Sequence, residues 1–127
     1  MNMSKVVFGF FVLLAATLNF GFVLGEIDNP AHHNVYELFA ALVIALIATV
    51  MKFGDRSQLG AVLLASGLVS LLQLLAAALI WSIAVHISDA GLTPAMMASI
   101  VSLSAGALLA NLLGVVLMTL EAAGIAR

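Results

Sequence analysis

The chain has 127 residues, of which 65% are hydrophobic and 8% charged, with a formal net charge of −2 and no cysteine. An ordinary soluble domain is about 45–50% apolar and about 25% charged, so this composition excludes a soluble globular domain. The missing cysteine excludes disulfides and thiolate-bound metals, and four basic residues are too few for a nucleic-acid-binding surface.

The mean hydropathy of +1.27 is concentrated in four runs. About 20 apolar residues carry a helix across the hydrocarbon core, and "VVFGFFVLLAATLNFGFVLG" (residues 6–25) meets that length. Lys5 before the run, with Val23 and Gly25 ahead of Glu26, also fits a cleavable signal peptide. The stretch exceeds the usual apolar region of about 7–15 residues, which favours a retained helix. Thr17, Gly21 and Gly25 form a short small-residue ladder, and Asn19 is a polar residue in the half of the run nearer Glu26.

"EIDNPAHHNVYELF" (residues 26–39) is the most polar stretch of the chain. Asn29-Pro30 reads as a cap followed by proline at a helix start, and Asn34 with Glu37 reads as a capping box. His33 and Glu37 are four apart, hence on one helix face, which continues through Ala41, Ala45 and Thr49. With His86 at the same depth, they form a candidate metal or proton site, since imidazole and carboxylate together ligate zinc, copper or nickel. Helix capping is the competing role for these residues.

The second run (residues 35–53) is short for a span. "KFGDRSQ" then supplies Gly54 as a stop and Asp55 or Ser57 as the next cap. The third run (residues 59–85) carries Ser66, Ser70, Gln73 and Ala77 at helical spacing. "DAGLTP" closes on Thr93-Pro94, a cap and a first-position proline. In the fourth run (residues 95–120), Ala98, Ser102, Gly106, Ala110 and Gly114 recur every fourth residue, a small-xxx-small ladder that lets membrane helices approach closely. That ladder serves packing within one protomer or an interface between protomers. Gln73 and Asn111 lie at similar depth, where they either pair with each other or line a path for an ion or small solute. Trp81 and Tyr36 fit an interfacial aromatic belt.

Together these elements predict one all-α domain over residues 1–127, an integral membrane four-helix bundle of up-down-up-down connectivity. Lys5, Lys52, Arg56 and Arg127 fall on one side and Glu26, Asp28 and Asp89 on the other. By the positive-inside rule both termini face the cytoplasm. The stretch Asn29–Trp81, with "HNVYELFAA" and "KFGDRSQ-GAVLLA", resembles a family of small bacterial inner-membrane proteins of unknown function. That resemblance implies an inner-membrane location and brings no activity or site residues. Likeness to small multidrug transporters or fluoride channels stops at size and helix number.

The chain lacks a Gly-rich phosphate loop, G-x-S-x-G and H-E-x-x-H. The functional expectation is a non-enzymatic protein without a cofactor, which meets the lipid bilayer and assembles with itself or with another membrane protein. The alternatives are a small channel or transporter subunit using Gln73, Asn111 and the serines, and an outer-face metal or pH sensor using His33, Glu37 and His86.

Overall fold

The computed structural model describes residues 2–124. Its four α-helices are α1 (Met3–Val23), α2 (Val35–Met51), α3 (Gln58–His86) and α4 (Pro94–Ala122), with one 3₁₀ turn at Pro30–His32 and no strand among the described residues. Arg127, one of the basic residues used above to orient the chain, lies outside the described residues.

Local chemistry sets the helix starts. Asn2, Asn34, Ser57 and Thr93 each turn a side-chain oxygen toward a free backbone N–H of the first turn that follows. Ser57, rather than Asp55, is the cap of α3; its hydroxyl accepts from the Gly60 N–H at 2.9 Å. Asp55 braces that cap, accepting from the Ser57 N–H at 3.0 Å and the Ser57 hydroxyl at 2.8 Å. Gly54, at φ +93°, makes the reversal out of α2. Thr93-Pro94 starts α4 as predicted, with the Met96 N–H donating to Thr93 Oγ1 at 3.2 Å.

Helices α1, α3 and α4 have 21, 29 and 29 residues and are long and apolar enough to cross a membrane; α2, equally apolar, has 17. Each helix packs on two neighbours: α1 on α2 and α4, and α3 on α2 and α4. Phe22, Leu38, Leu74, Met97 and Ile100 fill one part of the core, and Phe8, Val12, Ala48, Leu59 and Leu63 the other. Lys5 at the start of α1 pairs with Glu121 near the end of α4 at 3.4 Å. Lys52, just past α2, sits 4.2 Å above the Phe8 ring.

The outer surface is apolar as well. Phe10, Leu72 and Leu109 are 60%, 68% and 71% exposed. Helices that are hydrophobic all round belong to a membrane or to the core of a much larger body, and the length and hydropathy of α1, α3 and α4 suit the first.

Candidate functional site

Two groups of polar side chains stand out: a loop joining α1 to α2, and amides and hydroxyls inside the bundle. In the loop, Asn29 caps the 3₁₀ turn by accepting from the Ala31 N–H at 3.0 Å. Asn34 then caps α2 through the Tyr36 N–H at 2.8 Å. Because α2 begins at Val35, His33 precedes it in extended backbone, at φ −124° and ψ 122°. His33 and Glu37 therefore do not share a helix face, and the i, i+4 relation does not hold.

His33 is buried, and its Nδ1 and Nε2 lie 2.6 Å and 2.7 Å from the carbonyl oxygens of Phe22 and Glu26. A carbonyl only accepts, and a neutral imidazole carries one N–H, so the ring donates to one of the two carbonyls at a time. His32 does the opposite, its Nδ1 accepting from the Glu26 N–H at 2.8 Å. The adjacent histidines thus tie α2 back onto the end of α1. Gly25, at φ +96°, gives the His32 ring its place; a Cβ there would stand 2.7 Å from that of His32.

Glu37 does not reach back to complete a capping box. Its carboxylate lies against Gly21 on α1, where any Cβ would collide with it. Gly21 and Gly25 therefore serve packing within the protomer. His86 is exposed at the end of α3. Among the described residues no three His, Asp or Glu side chains stand close enough to hold a metal. The trio His33, Glu37 and His86 is not assembled, because both nitrogens of His33 are already engaged by backbone.

Within the bundle, the expected face of α2 holds: Ala41, Ala45 and Thr49 are all buried. On α3, Ser66 and Ser70 are buried, while Gln73 lies at the edge of the stripe. No hydrogen bond joins Gln73 to Asn111. Instead the Gln73 amide lies flat on α4 over Gly106, where a Cβ would overlap it, and its Oε1 is buried without a partner. Asn111 keeps an unpaired Nδ2, as does Asn19. Asn19 pairs across to α4, where the Ser104 hydroxyl donates to its Oδ1. Sequence reasoning singled out Asn19 but not Ser104, eighty-five positions away. The available signal was the inward row Met97, Ile100, Ser104, Ala107 and Asn111, all of them buried.

The ladder on α4 does not form one face. Ser102 is exposed, Ala98, Gly106 and Ala110 are half-buried, and only Gly114 reaches the core. At 3.6 residues per turn, a four-residue step advances about 40° around the axis, so five members wind through about 160°. Gly106 and Ala110 thereby fall on a lateral groove between α3 and α4, beside Gln73, Val69, Leu109 and Leu113.

The model of a family of unknown function, DUF6394, matches residues 32–122. The chain belongs to this family. The DUF6394 match extends the likeness read in Asn29–Trp81 through the whole of α4. It includes His33, Glu37, Gln73 and Asn111, and leaves α1, with the Phe22 and Glu26 carbonyls that hold His33, outside. No curated protein and no solved structure matches the chain.

Proposed function

We propose that this DUF6394 protein is a non-enzymatic, multi-pass protein of the bacterial inner membrane that assembles with copies of itself, as a scaffold or accessory subunit. Its helices run up-down-up-down with both termini cytoplasmic. Lys5 and Lys52 support that orientation, since one lies in the first turn of α1 and the other stands over Phe8, a turn further on. Retention of α1 is supported by its contribution of Phe22 and Asn19 to the interior.

The observation that carries self-assembly is the α3–α4 groove, about 760 Å³, floored by Gly106 and Ala110 and holding the orphaned Gln73 Oε1. Apolar walls alone would be content with lipid, but a buried carbonyl without a donor would not. A primary amide both donates and accepts, so two Gln73 side chains that turn from Gly106 into the groove, related by a two-fold axis, satisfy each other reciprocally. Each such contact between membrane helices contributes about 0.6–2 kcal/mol. A solute path through one protomer gains less support. The interior cavity among the four helices is about 20 Å³, room for about one water molecule.

Oligomeric state in lipid nanodiscs, measured by native mass spectrometry, tests the proposal. The expected result is a dimer or larger closed assembly that Gln73→Leu and Gly106→Ile weaken, while Ser99→Leu, elsewhere on α4, leaves it intact. A parent protein that stays monomeric in lipid overturns it.

A further inference from the structure

A small cavity lies where all four helices meet, on the inner side of the groove wall. Ala15 of α1, Thr49 of α2, Ser66 of α3 and Asn111 and Gly114 of α4 line it, and each is buried. Its volume is about 20 Å³, above the ~10–15 Å³ that one water needs. Asn111 is 8% exposed and its Nδ2 has no hydrogen-bond partner. The two hydroxyls facing the same space have spent their protons: Thr49 donates to the Ala45 carbonyl at 2.7 Å and Ser66 to the Leu63 carbonyl at 3.0 Å. Their oxygens remain free to accept.

This set of groups defines its guest. It must accept from the Asn111 N–H and have protons to give to hydroxyl oxygens. A halide has no protons to give, and a bare cation would face an N–H dipole pointing the wrong way. We infer that the cavity is a binding site for a single water molecule, bridging α4 to α2 and α3 in the middle of the bundle. Ser66 also lines the α3–α4 groove, but the site uses neither Gln73 nor Gly106 and does not depend on self-assembly.

Glycine makes the room. A Cβ added at Gly114 would lie 3.5 Å from Ser66 Oγ, 3.8 Å from Leu63 Cδ2 and 3.9 Å from Val12 Cγ1. All three residues line the cavity and all three distances are ordinary van der Waals contacts, so Gly114→Ala fills the space without a clash. The test is magic-angle-spinning NMR of ¹⁵N-labelled protein in lipid bilayers, reading magnetisation transfer from water protons to the Asn111 side-chain amide. The expected result is a cross peak in the parent that is lost in Gly114→Ala while the backbone spectrum is otherwise retained. Absence of that peak in the parent, or its survival at full intensity in Gly114→Ala, overturns the inference. Should the variant not fold, the parent spectrum alone decides.

Discussion

His33 and His86 show how far two identical side chains can diverge. His33 is enclosed, with both ring nitrogens on backbone carbonyls of the preceding segment, whereas His86 is exposed at a helix end. The Glu26 carbonyl also accepts from the Asn29 N–H at 3.2 Å; leaving a buried acceptor unpaired costs about 1–3 kcal/mol, and His33→Ala strands that of Phe22. It is expected to lower unfolding stability in detergent by more than 1 kcal/mol, against less than about 0.5 kcal/mol for an exposed change such as His86→Ala. Equal losses from the two would contradict the tie described for His33. Spacing alone paired His33 with Glu37 because it assumes that one helix contains both. The cap at Asn34 decides otherwise, and nothing in a four-residue interval reveals on which side of a cap a residue falls. Asn34 itself was legible, since a short polar side chain before an apolar run has few other uses.

At the scale of elements, the starts of α2 and α4 could be read from Asn34 and Thr93-Pro94, and that of α3 narrowed to Asp55 or Ser57, because capping is local chemistry. The direction of the α4 ladder could not, because a four-residue repeat drifts around the helix and only the neighbouring helices say which member meets which. The α2–α3 turn carries a testable electrostatic consequence. Asp55 is held below its ordinary value of 3.8 by the Ser57 backbone N–H and then by the Ser57 hydroxyl, with desolvation opposing them and the nearby Lys52 ammonium adding a lesser lowering. A carboxyl with a lowered folded-state pKa adds stability that is present above its unfolded value and lost as pH falls through the folded one. Thermal unfolding of the parent and Asp55→Ala should therefore differ by a constant amount at pH well above 3.8. That difference should shrink on acidification below it. A gap that widens in acid would show that the carboxylate is not what the turn uses.

For the whole molecule, composition announced the membrane and the number of helices, while packing partners came only from the fold: α1 touches both α2 and α4, closing the ring. The sequence contains no cysteine, so single replacements report topology directly. With both termini cytoplasmic, Asp28→Cys and Asp89→Cys should react with an impermeant maleimide in intact cells, and Arg56→Cys only after permeabilisation. The reverse pattern would invert the proposed orientation. The unequal helices carry a further consequence. At 1.5 Å per residue, the 17 residues of α2 rise about 26 Å and the 29 of α3 and α4 about 44 Å. In the proposed four-span arrangement, a hydrocarbon thickness of about 30 Å makes the bilayer thin beside α2 and thicken beside the α3–α4 pair unless that pair tilts. The protein then deforms its surroundings in opposite senses on its two flanks. For the proposed assembly, acyl-chain length becomes a physical control on how strongly neighbouring copies attract: longer-chain lipids relieve strain beside α3 and α4 while raising it beside α2, and the ring of perturbed lipid shrinks when copies share it.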